Sequence, residues 1–282
     1  MKIARFTHNG STRLGLVDGD DIIDVGGADA SLPTDVGALI AADGIDRLRG
    51  ASGARIALAD VRLEAPIVQP PVFFAIGLNY AAHIEESGMA KPAAPVVFNK
   101  QITCVTGPFD PIEVPTVAPD WVDYEGELGV VIGTRCRNVL IDDAPSVVAG
   151  YLIVNDVSVR DWQRATPTMT MGKSWDTHGP IGPYFVTADE VGDPHILRLR
   201  TWVDGELRQD ANTSLMIINV WEQIEHISTA CTLLPGTIIA TGTPAGVGFV
   251  MNPPNCLKAG QVVRIEIEKL GTIENPVVAQ RS

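Results

Sequence analysis

The hydrophobic pattern along this chain predicts strands over most of its length. In the first 25 residues apolar and polar positions alternate around the turn sequences HNGS and DGDD, which is typical of short antiparallel strands. Apolar runs broken by Gly and Pro predict further strands at 72–77, 96–99, 126–133, 150–156, 182–187, 197–204, 237–241 and 261–268. This spacing favours a rolled antiparallel or mixed sheet over a regular βαβ repeat.

Two segments have a helical period instead. TDVGALIAADGIDRLRG has Thr34 or Asp35 as a candidate N-cap and Gly50 as its stop. SLMIINVWEQIEHISTACTL is the clearest helix, because its apolar and small residues repeat on one stripe. The residues of that stripe are Ile217, Val220, Trp221, Ile224, Ser228 and Cys231.

A group of prolines separates the two parts of the chain. Pro66, Pro70 and Pro71 place a domain boundary near residue 68. We therefore predict a small N-terminal β cap domain over residues 1–68 and a larger strand-rich domain over residues 69–282. The predicted fold class is α+β and β-rich, with the strands as the main component.

Composition narrows the possible partners. The chain has 282 residues, 45% of them hydrophobic and 20% charged, and its net charge is -13. This acidic balance argues against nucleic acid or an anionic membrane as a partner, because both require clustered Lys and Arg. The first ten residues lack the apolar run of a signal peptide, and no apolar stretch of about 18 residues is present. We expect a cytoplasmic protein that does not bind membranes.

The four cysteines indicate neither a zinc site nor a disulfide framework. Cys104, Cys136, Cys231 and Cys256 lie far apart and lack paired spacing. We expect them to be buried, reduced thiols.

Three acids occupy alternate positions before an apolar strand in WVDYEGELGVVIG. Side chains two apart on a strand share a face, so Asp123, Glu125 and Glu127 would lie on one side of it. Neighbouring carboxylates repel each other unless a cation lies between them, and a hard divalent ion is the usual occupant. The alternative is a solvated strand face, since antiparallel sheets often have one side in water.

A third candidate ligand is Asp156, which follows the apolar strand in GYLIVNDVSVRDWQR. If a helical turn begins there, Asp156, Arg160 and Gln163 share one face and bring an acid, a base and an amide together. The alternative is that Asp156 caps the helix and pairs with Arg160 at the surface.

Three other motifs carry candidate chemistry. In GLNYAAHIEES, His83 and Glu86 are three residues apart. They would form either a hydrogen-bonded dyad that activates water or a solvated pair at the surface. Lys100 and Lys173 interrupt apolar or Gly-rich runs, so each would hold a substrate carboxylate or oxyanion, or lie at the surface. ATGTPAGVG lacks a phosphate-loop spacing, but the hydroxyl of Thr243 would reach a small ligand.

Five segments, taken in order over residues 70 to 280, resemble the fumarylacetoacetate hydrolase family. They are GLNYAAHIEE, DYEGELGVVIG, GYLIVNDVSVRDWQ, GKSWDTHGPIGP and LLPGTIIATGTPAGVG. The first 68 residues resemble only the variable N-terminal module of such proteins. The resemblance implies a mixed β-roll or barrel, usually in a homodimer, with Mg²⁺ or Mn²⁺ at the mouth of the roll.

The resemblance also implies roles for individual residues. Its metal ligands fall on Glu125, Glu127 and Asp156, and its lid dyad falls on His83 and Glu86. A fourth carboxylate ligand of the family has no counterpart that aligns here, so the role of Asp123 stays open. The family's remaining site residues contact the substrate, its carboxylate or the oxyanion that forms from it. They fall on Tyr80, Lys100, Arg160, Gln163, Lys173 and Thr243.

The implied activity is hydrolysis of a carbon–carbon bond in an anionic, acylpyruvate-like 1,3-dioxo acid through a metal-stabilised enolate. The same chemistry serves decarboxylation of oxaloacetate, isomerisation of a hydroxymuconate and hydration of a dienoic acid, and the sequence does not separate these reactions. A protein that binds metal or a partner without turnover is a further alternative. Residues 86–95, ESGMAKPAAP, are expected to form a flexible lid.

Overall fold

The computed structural model describes residues 1–280, and strands dominate it. The strands are β1 Lys2–His8, β2 Ser11–Asp18, β3 Asp21–Asp24, β4 Ala54–Ala57, β5 Arg62–Glu64, β6 Phe73–Gly77, β7 Val96–Lys100, β8 Val105–Thr106, β9 Ile112–Val114, β10 Val122–Asp123, β11 Gly126–Ile132, β12 Val148–Asn155, β13 Ser158–Val159, β14 Gly179–Thr187, β15 Arg198–Val203, β16 Glu206–Asn212, β17 Ile238–Ala240, β18 Val262–Ile267 and β19 Gly271–Ala279. The helices are α1 Val25–Ala28, α2 Val36–Ala41, α3 Ala81–Glu86, α4 Arg160–Ala165, α5 Thr170–Lys173, α6 Ala188–Val191 and α7 Val220–Ala230.

The strands of residues 1–280 form three sheets. The largest has the order β4-β3-β2-β1-β14-β12-β11-β17-β6-β7, with β5 added to β1 and β8 to β14. A second sheet has the order β16-β15-β18-β19-β9, and β10 pairs with β13. Parallel and antiparallel pairs are mixed, since β17 runs parallel to β6 whereas β11 runs antiparallel to β12. The predicted β-rich mixed fold is confirmed, but β4 and β7 stay apart, so residues 1–280 form no closed barrel.

The N-terminal strands belong to the same large sheet as the rest of the chain. β1 pairs with β14 through Lys2 opposite Val186 and Ile3 opposite Phe185. The antiparallel hairpins predicted for the first 25 residues are present as β1, β2 and β3. The division at residue 68 stays a prediction.

The centre of the large sheet holds the strands that lead to the predicted site. All seven residues of β11 are buried, and the last six residues of β12 are buried as well. Side chains of β11 enter two different cores, with Val130 in one and Val131 in the other. Packing on both faces explains the continuous apolar run in this segment, since a strand buried on both sides has no polar face.

The predicted helix over residues 34–50 is shorter than its pattern suggests. Asp35 is the N-cap, and its carboxylate accepts a hydrogen bond from Ala38 N at 2.9 Å. α2 ends at Ala41, and a short 3₁₀ segment follows at Ile45–Leu48. Asp43 takes a left-handed φ of 52°, which an α-helix does not tolerate. The continuous helix to Gly50 is therefore wrong.

The second predicted helix is present as α7, but it begins later than predicted. Asn219 and Glu222 form a capping box at its start, so Ile217 lies outside it. Trp221 is half-buried and Cys231 is exposed, so both fall off the predicted stripe. The buried side of the helix is formed by Val220, Gln223, Ile224, Ile227 and Ser228.

The thiols differ in their surroundings. Within residues 1–280 all four cysteines are free, in agreement with the predicted absence of disulfides. Cys104 and Cys256 are buried, whereas Cys136 is half-buried and Cys231 is exposed. The expected burial therefore holds for two of the four.

In the part of the chain that the structure describes, no helix has the length and apolar character needed to cross a bilayer. The predicted homodimer and the predicted cytoplasmic location stay predictions.

Candidate active site

Three carboxylates meet where β11 and β12 pair. Glu125 directly precedes β11, Glu127 lies on it, and Asp156 directly follows β12. Because Gly126 pairs with Asn155, the backbone N–H of Asp156 reaches the carbonyl oxygen of Glu125 at 2.9 Å. One carboxylate oxygen from each of the three acids lies within 4.8 Å of the other two, and all three residues are buried. The structure thus brings the three predicted metal ligands together.

The surroundings of the Glu127 carboxyl group indicate a site for a metal cation. Burial raises the pKa of Glu127 well above its ordinary value, and the charges of Asp156 and Glu125 raise it further. Within residues 1–280 its carboxylate has no salt-bridge partner and accepts one hydrogen bond, from Gly242 N at 2.8 Å. A buried carboxylate stays ionised only beside a cation, and an all-oxygen set of ligands suits Mg²⁺ or Mn²⁺. The residues present therefore fit a hard divalent ion.

Gly242 is held close to the acids by its backbone conformation. Its φ is +102°, a region that residues with a side chain rarely adopt. A Cβ atom there would meet the Cβ of Asn79 at 2.6 Å. A glycine at this position therefore allows the N–H to reach Glu127.

Two lysines are bound to the triad. Lys173 Nζ donates to Glu125 Oε2 at 2.6 Å and to Asp156 Oδ2 at 2.7 Å. Lys100 Nζ donates to Asp156 Oδ1 at 2.7 Å and to the carbonyl oxygen of Lys173. Burial raises the pKa of Glu125, but the charges of Lys173 and Arg160 outweigh it and lower that pKa to about 2. Basic neighbours therefore favour the ionised form of Glu125, whereas burial and the neighbouring acids oppose the ionised form of Glu127.

Asp123 lies behind the triad and not in it. β10 and β11 belong to different sheets, so the predicted single strand face of alternating acids is interrupted at Tyr124 and Glu125. Asp123 Oδ2 accepts from Arg160 Nε at 2.9 Å and Nη2 at 2.8 Å, and Oδ1 accepts from Gly248 N at 2.9 Å. Asp123 therefore fixes an arginine and a loop.

Arg160 connects Asp123 to the triad. Its Nη1 donates to Glu125 Oε1 at 2.6 Å and to Gln163 Oε1 at 2.9 Å. Asp156 neither shares a helical face with Arg160 nor caps its helix, so both predicted arrangements are wrong. α4 begins at Arg160, and β13 lies between Asp156 and α4. Asp156 pairs with the two lysines instead.

The buried acids of this cluster outnumber the buried bases by one. A bound divalent cation would reverse the sign of the net charge, which would favour an anionic substrate. The acids are Asp123, Glu125, Glu127 and Asp156, and the bases are Lys100, Arg160 and Lys173.

The predicted dyad is formed on α3. His83 Nδ1 lies 2.7 Å from Glu86 Oε1, and Glu86 Oε2 accepts a hydrogen bond from Gly246 N at 2.9 Å. The dyad is thus fastened to the glycine-rich turn after β17. Since Nδ1 faces the carboxylate, Nε2 is the ring nitrogen left for chemistry.

A cavity of about 760 Å³ is lined by His83, Glu125 and Glu127 together, which is ample space for a small organic ligand. Four predicted site residues do not line this cavity: Tyr80, Glu86, Lys100 and Asp156. The predicted site residues that line it are His83, Glu125, Glu127, Arg160, Gln163, Lys173 and Thr243.

Tyr80, Lys100 and Thr243 have other surroundings in the structure, and their predicted contacts with substrate stay predictions. Tyr80 is buried, its hydroxyl has no hydrogen-bond partner among residues 1–280, and burial raises the pKa of that hydroxyl. Lys100 lies beneath Asp156 with its side chain 0% exposed. The Thr243 hydroxyl donates to Gly126 O at 3.1 Å and accepts from Gln209 Nε2 at 2.8 Å, so it organises the loop.

Arg164 and Phe249 are among the lining residues of the cavity that sequence reasoning missed. Arg164 follows Gln163 directly, so its place on a helix next to a predicted site residue was the available signal. Phe249 follows the glycine-rich turn, and the sequence gives no sign that it returns to the cavity.

Replacing Lys100 by methionine is expected to lower the free energy of unfolding of the metal-free protein by about 3–5 kcal/mol. The substitution removes one of two cations that neutralise the buried Asp156. Urea unfolding measures the loss. Lys258→Met, at an exposed position, is the matched control and should change stability little. Equal stability of the two variants would contradict a stabilising role for the buried pair.

Comparison with known protein families agrees with this arrangement. Residues 72–278 match the model described as fumarylacetoacetate (FAA) hydrolase C-terminal. Residues 1–66 match the model described as Rv2993c-like, N-terminal.

Relatives with different named activities resemble the whole chain. The mitochondrial oxaloacetate tautomerase fahd2 of Xenopus laevis is 40% identical over 290 aligned positions, covering 99% of this chain and 90% of the relative. A crystal structure of 2-hydroxyhepta-2,4-diene-1,7-dioate isomerase from Mycobacterium marinum has a TM-score of 0.80 at 35% identity, with both chains covered completely. Maleylpyruvate hydrolase from Sphingobium sp. SYK-6, bound to manganese(II) and pyruvate, has a TM-score of 0.82 at 34% identity, again over both whole chains. The chain belongs to the fumarylacetoacetate hydrolase family.

Proposed function

We propose that this protein is a metal-dependent hydrolase that cleaves a carbon–carbon bond in an acylpyruvate-like 1,3-dioxo acid. The observation that carries the proposal is the His83–Glu86 dyad, whose Nδ1–Oε1 distance is 2.7 Å. His83 lines the same cavity as Glu125 and Glu127. A base that activates water and a site for a divalent ion on one cavity are the two parts that this hydrolysis needs.

Glu125, Glu127 and Asp156 would hold the ion, Mg²⁺ or Mn²⁺. Support comes from their converging oxygens and from the manganese in the related maleylpyruvate hydrolase. When bound, the ion supplies positive charge beside the oxygens of a 2-oxo acid.

His83 would act as the general base. Its Nε2 takes a proton from water while Glu86 holds the ring through Nδ1 and stabilises the imidazolium. The water oxygen bonds to the distal acyl carbon, and the bond between that carbon and the methylene carbon then breaks. The methylene carbon takes back the proton, so the products are a carboxylic acid and a 2-oxo acid.

Gln163 and Lys173 would stabilise the oxyanion that forms at the acyl carbon. Gln163 Oε1 accepts from Arg160 at 2.9 Å and its Nε2 donates to Met169 Sδ at 3.8 Å, so the amide is oriented and one of its two protons is left for the substrate. Lys173 donates two of its three protons to Glu125 and Asp156, which leaves one for the substrate. Arg160 then acts by positioning Glu125 and Gln163.

A second candidate is keto–enol tautomerisation of oxaloacetate. It is favoured by the tautomerase of Xenopus laevis, which aligns with 99% of this chain at 40% identity. This reaction moves a proton between carbon and oxygen and breaks no carbon–carbon bond, so it needs no attacking water.

Assays with acetylpyruvate and oxaloacetate in ¹⁸O-labelled water distinguish the candidates. We expect acetylpyruvate to give acetate that carries one solvent oxygen, with activity lost on chelation and restored by Mg²⁺ or Mn²⁺. Mass spectrometry of the products follows hydrolysis, and the absorbance of the enol follows tautomerisation. Turnover of oxaloacetate with no labelled acid from any acylpyruvate would overturn the hydrolase proposal and favour the tautomerase, whereas carbon dioxide release would indicate a decarboxylase.

A further inference from the structure

One buried side chain links the two parts of the candidate site. Gln209 lies on β16 in the second sheet, and it is only 1% exposed. Its Oε1 accepts a hydrogen bond from Gly126 N at 3.0 Å. Its Nε2 donates to Thr243 Oγ1 at 2.8 Å and to the carbonyl oxygen of Pro244 at 2.9 Å. Both protons of the amide nitrogen are therefore used, and the amide joins two segments that are distant in the sequence.

The two joined segments carry different parts of the proposed chemistry. Gly126 lies between the two glutamates of the triad. The second segment is the glycine-rich turn, residues 241–248, in which Gly246 N donates to Glu86 Oε2 at 2.9 Å. Glu86 Oε1 contacts the histidine of the dyad at 2.7 Å. Gln209 therefore connects the segment of the metal ligands to the turn that holds the dyad.

The glycine-rich turn lies directly against the strand that carries Gln209. Gly246 has a φ of +106°, and a Cβ atom there would lie 1.9 Å from the carbonyl oxygen of Arg208. Only a glycine allows such a close approach of two backbones. The hydroxyl of Tyr124 donates to the carbonyl oxygen of Gly246 at 2.8 Å, so the turn is also held from the segment of the metal ligands. The Gln209 amide supplies polar partners that this buried junction requires.

We propose that Gln209 is a positioning residue, which holds the glycine-rich turn against Gly126 and thereby sets the place of Glu86 and His83 relative to the metal ligands. The proposal rests on the proposed function, in which His83 is the general base. Proton transfer from water requires the base within hydrogen-bond distance, so a small displacement of the ring costs rate. Loss of the Gln209 contacts should therefore lower kcat more than it changes KM or the affinity for Mn²⁺.

Gln209→Met tests this proposal, because methionine has a similar length but cannot form the three hydrogen bonds. We expect the amides of residues 241–248 to exchange hydrogen with solvent faster than in the wild type, as measured by mass spectrometry on the metal-free proteins. We expect kcat for acetylpyruvate to fall about 10- to 100-fold. If Gln209→Met does not fold, Gln209→Asn serves instead, since its amide is one carbon shorter and cannot span both segments.

Combining Gln209→Met with His83→Ala separates positioning of the dyad from a general structural loss. If Gln209 acts through the dyad, its substitution should lower the already reduced kcat of His83→Ala by less than about twofold. A general structural role predicts the full loss in both backgrounds. That full loss, or wild-type kcat and wild-type exchange in Gln209→Met, would overturn the proposal.

Gln69→Met is the matched control, because Gln69 is exposed. It should keep wild-type kcat and wild-type exchange in residues 241–248. Failure of the proposed function gives a different result. A wild type that hydrolyses no 1,3-dioxo acid would overturn the hydrolase assignment, while faster exchange of the turn in Gln209→Met would still support Gln209 as the residue that positions it.

Discussion

Replacing Glu127 by glutamine is expected to weaken binding of Mg²⁺ or Mn²⁺ by about 100-fold or more and to abolish metal-dependent turnover. The amide keeps the shape of the side chain but cannot provide the negative charge that an ionised Glu127 would offer to the metal ion. The hydrogen bond that Gly242 N donates at 2.8 Å can persist, since the amide oxygen accepts it. Calorimetric titration with Mn²⁺ and assays over a range of Mg²⁺ concentrations measure the effect.

Loss of activity in Glu127→Gln should not come from unfolding. The substitution removes repulsion from Glu125 and Asp156, so the metal-free variant should be at least as stable as the metal-free wild type. The wild type alone should gain stability when Mn²⁺ is added. Glu274→Gln, at an exposed position, should behave as wild type. Unchanged Mn²⁺ affinity in Glu127→Gln would contradict its role as a ligand.

Replacing His83 by alanine is expected to reduce hydrolysis by about 10²- to 10⁴-fold while the affinity for Mn²⁺ stays near the wild-type value. The ring supplies the base, and it is not among the three residues that converge as ligands. Glu86→Gln should cause a smaller loss, because the amide still contacts the ring but cannot stabilise its positive charge. Steady-state kinetics and Mn²⁺ titration separate the two functions.

The exposed His226 provides a matched control for this prediction. His226→Ala should retain both hydrolysis and metal binding. Hydrolysis at the wild-type rate in His83→Ala would remove water activation from the role of the dyad. Loss of Mn²⁺ binding in that variant would instead place His83 in the metal centre.

The metal triad could be predicted because its signal is local. Alternation puts Glu125 and Glu127 two residues apart, and an apolar strand that ends at Asn155 places Asp156 at its edge. The antiparallel pairing of β11 with β12 then brings the two segments together. The pair of His83 and Glu86 could be predicted for the same reason, since both residues lie on one helical turn.

The partners of the buried cations could not be predicted, because they are distant in sequence. Lys100 contacts Asp156 across 56 positions, and Arg160 contacts Asp123 across 37. Spacing alone favoured a pairing of Asp156 with Arg160, but β13 interrupts the helix that this pairing required. The predicted start of α7 was wrong for a different reason. The capping box of Asn219 and Glu222 sets the first turn of the helix, although apolar residues precede it.

A crystal soaked in Mn²⁺ tests the central claim most directly. We expect one anomalous difference peak in the cavity, bound by one carboxylate oxygen each from Glu125, Glu127 and Asp156. Saturating Mn²⁺ with no peak among these oxygens, or a peak bound by other residues, would contradict the account.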